Sequence, residues 1–438
     1  MRRTPKTDIQ YKDQWQRRHD RMPGDFPASR PRALLLGTEH PRSAAVIRSL
    51  ARAGIAVDVC DHLSPATVLW RHSRLIRSRF RLSPDPGPAM DELASLGKEG
   101  GGVLIPTNDH YMIAVAKRHE SLSRLFTVTV PPWDILEPLM DKVRFRRMAL
   151  DCGLNAPRQF TPADVGDLER LERELDFSSH DYVLKTRRWD IGAADPESLR
   201  RVAQAGRTAS EVSRSCREYF GRIGDMPVIE EVVPGGAEQC IGVSMVVGKD
   251  HAPIFAHCIQ RRKLQLYAAE TSFKHPYQLG ANAYCENVED SEAREAACKL
   301  AARARYRGVV TFEFKRSTVD GKLYVIKADP RFVRATRLSV ALGQDLPLVL
   351  YEDHLGSNRT VPGTAMPKQR AGWIWLEAYL FSVWENRKQC SLLREGLRLA
   401  GRLLRTRACA YFTWRDPLPA LVLLARTARR VVWPWRFN

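Results

Sequence analysis

The sequence predicts an α/β and α+β protein with a basic, helical C-terminal region, and three observations carry that expectation. The chain opens on short apolar runs separated by a helical period, which reads as parallel β-α-β structure. Its middle alternates apolar and polar residues on both sides of an Asp-Gly turn, which reads as an antiparallel hairpin. Its last part mixes tryptophan, leucine and arginine at helical spacing.

The elements follow in order. Ala33–Gly37 is a fully apolar run ending in glycine, typical of a buried parallel strand. A helix follows, with Ala44, Ile47, Leu50 and Ala51 on one face and Gly54 as its stop. "IAVDVCD" is the second strand. Gly37 is the only glycine in "GTEHPRS", so the dinucleotide-binding fingerprint is missing. Gly102–Asp109 and Phe126–Pro132 are further strands. The first ends in Thr107, Asn108 and Asp109, which read either as a ligand contact or as a capping turn. "DKVRFRRMALDCGL" is a helix with Phe145, Met148, Ala149 and Cys152 on one face, closed by Gly153. "DYVLKTRRWDIG" is a strand with Lys185 at its exit. "MPVIEEVVPGGAE" is an apolar strand interrupted by paired acids and stopped at Pro234-Gly235. An antiparallel pair turning at Gly248-Lys249-Asp250 follows, then a helix, then a hairpin turning at Asp320-Gly321.

Composition narrows the classes. The 438 residues suggest about two or three domains. Hydrophobic residues at 44% sustain a large core. The net charge of +19 points to an anionic partner: nucleotide phosphates, an acidic polymer such as a glycan, nucleic acid, or an anionic membrane surface. The alternative is a set of solvated arginine faces. Nucleic acid ranks lower, because no zinc finger, RNA-recognition motif or glycine-loop signature is present. The nine cysteines form no CxxC pair, which excludes a zinc or dithiol signature and suggests reduced cytosolic thiols. Residues 1–31 lack an apolar run and read as a disordered basic arm, not a signal peptide. No window reaches the roughly 18 apolar residues of a spanning helix.

The motifs "DK", "GLNAP", "YVLK", "VIEEVVPG" and "FEFK…DGKLYVIKADPR" occur in that order. In that order the chain resembles the ATP-grasp superfamily, in particular its bacterial carboxylate–amine ligase-like members, from about Ala33 to about Gly356. The resemblance implies a pre-ATP-grasp domain over 32–135 and a two-lobed ATP-grasp domain with antiparallel sheets over 136–360. The C-terminal region, 361–438, lies beyond it. It implies ATP with Mg2+ or Mn2+, and a carboxylate joined to an amine through an acyl phosphate. Lys142 and Lys185 match the lysines that reach the nucleotide phosphates. Glu230, Glu231, Val232 and Val233 match the adenine-binding hinge, and Glu238 is placed as the ribose acceptor. Glu313 matches the first acidic metal ligand, and Arg331 the arginine beside the transferring phosphoryl group.

Two departures fall in "YVIKADPRF". Lys327 falls on the family's second metal-binding acid, and an ammonium has no lone pair to offer a metal. Asp329 falls where the family has asparagine. Three readings stay open: a Glu313–Asp329 site for one metal, with Lys327 replacing a second ion or neutralising Asp329; nucleotide binding without turnover, as in a regulatory pseudoenzyme; or another acid serving in a shifted register. Arg187, Arg188, Arg261, Arg262 and Lys263 are further candidate anion contacts, although neighbours on a strand cannot all face the cleft. At the C-terminus Arg394, Arg398, Arg402 and Arg405 share one helix face and Leu393, Leu397 and Leu404 another. That pattern suits either the inner face of an anionic membrane or packing on the body of a cytoplasmic protein.

Overall fold

The computed structural model describes residues 30–38, 41–62, 73–188, 208–266, 280–357, 370–385, 387 and 390–432. Most of the expected basic arm, residues 1–29, lies outside these, as do Trp189–Gly192, Trp433 and Trp435. The last two residues assigned to that arm are anchored. Arg30 pairs with Glu352 at 3.1 Å, and the Tyr351 hydroxyl donates to the Pro31 carbonyl at 2.5 Å.

The short apolar runs at the start become β1 (Ala33–Leu36), β2 (Val57–Asp61), β3 (Ser78–Arg81), β4 (Val103–Pro106) and β5 (Thr127–Val128). They form a parallel sheet in the order β3-β2-β1-β4-β5. Every residue of β1 and β4 is buried, as a sheet covered on both faces requires. Gly37 leaves β1 at φ +81°, and a Cβ there would come within 2.5 Å of the Asn108 amide. Both facts demand glycine.

A small antiparallel sheet follows, built from β6 (Gln159–Phe160), β7 (Tyr182–Lys185) and β8 (Val228–Glu231), with β8 in the middle. The large sheet comprises β9 (Cys240–Val247), β10 (Pro253–Leu266), β11 (Gly280–Asn287), β12 (Gly308–Arg316), β13 (Leu323–Asp329), β14 (Gly372–Ile374) and β15 (Thr406–Cys409). Its order is β13-β12-β9-β10-β11-β14-β15, antiparallel except for the last pair. The expected hairpins are present, and Gly321 turns the second at φ +69°. Alternation sorts the faces of β12. Phe312 and Phe314 enter the core, where the Phe312 ring stacks on Phe145 at 6.2 Å, while Glu313 and Lys315 take the opposite face.

The C-terminal region differs from a purely helical appendage. It supplies β14 and β15 to the large sheet, and Trp373 is fully buried there. Its helix Leu392–Arg405 turns polar residues toward the body. Glu395 is buried, Arg402 donates to the Tyr379 hydroxyl at 2.7 Å and lies over the Tyr284 ring at 5.1 Å, and Arg405 approaches Glu286 at 3.8 Å. The leucines point away: Leu393, Leu397 and Leu404 are 75%, 67% and 85% exposed among the described residues. Trp384 and Trp414 are exposed too.

The Phe145–Phe312 stack ties the helix that starts at Lys142 to the large sheet, which gives a test of the assembly. Phe312→Ala is expected to lower the unfolding free energy by about 3–5 kcal/mol, read by urea denaturation.

Candidate functional site

Asp141 begins the helix Lys142–Asp151 by accepting from the Val143 and Arg144 amides at 2.9 and 3.1 Å. Lys142 is therefore the first helical residue, and its Nζ donates to the Thr186 carbonyl at 2.5 Å, just past β7. Lys185 ends β7, and its ammonium meets Glu230 on the adjacent β8. Glu230 is almost wholly buried and also accepts from Gln159 Nε2 at 2.8 Å. Its carboxylate thus holds Lys185 in place. Burial, then repulsion from Lys185 and from Lys327, lowers the Lys142 ammonium to about 8. Lys142 thus lies within electrostatic reach of both Lys185 and Lys327, while Glu230 and Asp141 partly offset their repulsion.

The corner made by β12 and β13 is denser. Glu313 stands directly opposite Lys327 in the register, and Asp329 follows two residues on, on the same face. Lys327 Nζ lies 2.9 Å from Asp329 Oδ2 and 3.7 Å from Glu313 Oε2. The other oxygens are taken as well: Arg261 binds Glu313 Oε1 at 2.5 Å and Arg331 binds Asp329 Oδ1 at 3.2 Å. Arg331 extends the chain of charges to Asp109, at 2.7 Å. Burial alone would raise both carboxylates, but Arg261 and Lys327 hold Glu313 below its ordinary range, and Arg331 and Lys327 hold Asp329 far below its own. Burial opposes the charge on Lys327, yet Asp329 and Glu313 outweigh it and raise that ammonium above its ordinary value.

This donor set does not fit the divalent ion that Glu313 and Asp329 were expected to share. A hard cation needs oxygen lone pairs turned toward a common point. Here all four carboxylate oxygens face ammonium or guanidinium groups, and the point between the two acids is held by Lys327 Nζ. Among the described residues no group of three or more His, Cys, Asp or Glu side chains could hold a metal.

Beside this corner lies a cavity of about 140 Å³ between the small and large sheets, lined in part by Lys185, Glu230, Glu231, Val232, Val233 and Glu313. The hinge strand is a wall of this cavity. The Glu231 and Val232 amides are used by the Arg158 and Asp181 carbonyls, at 2.9 and 2.8 Å. Glu238 sits past the turn in a short 3-10 helix, exposed, with its carboxylate folded back over Gly236.

Other candidates separate clearly. Asn108 is a cap, accepting from the Tyr111 amide at 3.0 Å, and Thr107 is buried against Ser43 and Gly37, but Asp109 reaches the site through Arg331. Arg187 and Arg188 are held by Asp141 and Glu137 at 2.7 and 2.6 Å. Arg261 enters the corner, while Arg262 turns to Glu286 at 3.3 Å. Sequence reasoning missed Gln159 and Arg42. Arg42 is 5% exposed, and burial followed by repulsion from Arg331 lowers it to about 9. Its Nε has no hydrogen-bond partner among the described residues. An arginine at the start of a helix after a buried strand was the available signal.

A lysine whose charge is disfavoured in the fold costs stability while it is protonated. That cost is present below about pH 8 and is relieved as the pH rises toward 10.5, the ordinary value. Lys142→Met is therefore expected to raise the melting temperature at pH 7 by about 1–3 °C, with a smaller gain at pH 10, read by calorimetry.

No family model and no curated protein matches this chain. Solved structures do. The biotin carboxylase domain of Hydrogenobacter thermophilus 2-oxoglutarate carboxylase, in complex with MgADP, ADP and bicarbonate, is similar at a TM-score of 0.58 and 16% identity, covering 78% of this chain and 74% of that one. N5-carboxyaminoimidazole synthetase from Staphylococcus aureus is similar at 0.57 and 13% identity, covering 82% and 86%. L-amino acid ligase from Bacillus licheniformis is similar at 0.54 and 14% identity, covering 79% and 80%. The likeness, at 13–16% identity over most of this chain, is one of fold: a parallel N-terminal sheet followed by a small antiparallel sheet and a large, mostly antiparallel one, the ATP-grasp fold.

Proposed function

We propose that this protein is an ATP-dependent ligase that joins a carboxylate to an amine. The observation that carries the reading is the cavity lined by Lys185 and by Glu230–Val233, with the Lys142 ammonium held on the Thr186 carbonyl one residue past Lys185. In this reading the adenine enters between Val232, Val233 and the large sheet, Glu238 swings to the ribose, and the lysines receive the phosphates. The substrate carboxylate is received near Arg331 and Arg42, whose Nε has no acceptor among the described residues. A carboxylate oxygen attacks the γ-phosphorus and the bond to the β,γ-bridging oxygen breaks, releasing ADP and leaving an acyl phosphate. The amine then attacks the acyl carbon, phosphate departs, and the nitrogen loses a proton. Arg331 stabilises charge developing on the transferred group.

A second reading, nucleotide binding without turnover in a regulatory module, is favoured by the saturation of Glu313 and Asp329 with cations. The two readings part on one assay. The full chain is given ATP and a panel of carboxylates and amines, and ADP release is measured beside ATP binding. The ligase reading expects ADP release that requires both a carboxylate and an amine. ATP binding with no release across the panel supports the second. Lys185→Ala is expected to weaken ATP binding by about 10–100-fold, the worth of a charge-assisted contact.

We also propose association with an anionic membrane surface through the outward leucines of helix Leu392–Arg405. No helix among the described residues is long and apolar enough to cross a membrane, so the contact would be interfacial. What supports it is the exposure of Leu393, Leu397, Leu404, Trp384 and Trp414 together with the net charge of +19. Co-sedimentation with phosphatidylglycerol vesicles is expected, with little binding to phosphatidylcholine vesicles. Leu393→Asp with Leu397→Asp should reduce it about tenfold or more.

A further inference from the structure

We propose that Lys327 supplies the charge that a divalent ion would otherwise bring to the nucleotide phosphates, so that this cleft takes up ATP without a metal. The inference rests on the nucleotide-binding reading and adds to it the ionic form of the ligand: free ATP rather than its magnesium complex.

The argument begins with position. Lys327 Nζ stands where a cation shared by Glu313 and Asp329 would stand, 3.7 and 2.9 Å from their oxygens. The strand pairing imposes this, because Lys327 and Glu313 are direct partners across β12 and β13. Next comes accessibility. The Lys327 side chain is 42% exposed while Glu313 and Asp329 are 18% and 12% exposed. More of the Lys327 side chain than of either carboxylate is therefore open to solvent. The ammonium has three protons to donate, so it can keep Asp329 and still reach a phosphate oxygen.

Competition decides the rest. For magnesium to enter between Glu313 and Asp329, Lys327 would have to leave both acids, and the oxygens held by Arg261 and Arg331 would still be neutralised. Magnesium also sheds its water reluctantly, so a pair of occupied carboxylates is a poor site for it. Phosphates meet the opposite situation. Lys142 feels the repulsion of Lys185 and of Lys327, and an arriving polyanion relieves it.

The test is isothermal titration calorimetry of the full chain with ATP, once in EDTA and once in MgCl2. ATP is expected to bind in EDTA within about threefold of its affinity in MgCl2. Lys327→Met is expected to weaken binding in EDTA by about tenfold or more. Lys327→Glu shifts the local charge by as much as one divalent ion carries, and is expected to make ATP binding depend on MgCl2. Wild-type binding that appears only in MgCl2 overturns the proposal and leaves the nucleotide reading standing. Binding in neither condition overturns both. Equal binding in EDTA by wild type and a folded Lys327→Met overturns the role of Lys327. If either variant melts more than about 10 °C below wild type, the wild-type comparison decides alone.

Discussion

The antiparallel pairing of β12 with β13 is the constraint on which the site depends. It sets Glu313 opposite Lys327 and Thr311 opposite Asp329, with the acids and the lysine on the cleft face. The same alternation sends Phe312 and Phe314 into the core, Phe312 against Phe145. A slip of one residue would exchange the faces, driving charges into the aromatic layer and phenylalanines into the cleft. The stacking of Phe312 therefore guards the register of the charged corner. That corner also joins three parts of the chain, since Asp329 binds Arg331, Arg331 binds Asp109 just past the carboxyl end of β4, and Glu313 binds Arg261 from β10.

A cluster of partly buried charges is a weak source of stability, because desolvation offsets much of the attraction. Its density here points to function. Glu313 and Asp329 are held below their ordinary values of 4.5 and 3.8, and Lys327 above 10.5. What the carboxylates contribute is present above those ordinary values and is lost as pH falls through the depressed ones. What Lys327 contributes is lost only as pH rises through its raised value. The corner is thus fully ionised across the neutral range. Lys142 is the opposite case, a cation held where its charge is disfavoured. The cleft thus combines acids whose charge is answered by neighbouring cations with a lysine whose charge burial disfavours.

The C-terminal region is part of the same structure. β14 covers the edge that β11 would otherwise expose, and β15 extends it. Arg402 and Arg405 fold back over Tyr284 and toward Glu286. The helix that carries them packs Leu399 on the body but shows Leu393, Leu397 and Leu404 outward, the reverse of the usual arrangement for an amphipathic helix on a globular body.

Local pattern was enough to read most elements. The buried strands, the Asp-Gly hairpin and the face alternation of β12 rest on periods of two and 3.6 residues, which neighbours in sequence express directly. Motif order was enough to name the ATP-grasp resemblance. The state of the site was not legible, since Lys327 could be seen as a lysine in an acid's place but not as a lysine gripping both remaining acids. Arg42, Gln159 and Asp109 come from distant parts of the chain, and nothing near them in sequence marks their partners. The direction of the C-terminal leucines was equally open, because periodicity shows that a helix has two faces and not which one the body takes. By itself the sequence determined the elements and the charges they carry, since both depend on nearest neighbours. Only the tertiary structure decided which charges meet, because the free energy of a buried ion pair depends on distance and burial, and both are set by segments hundreds of residues apart.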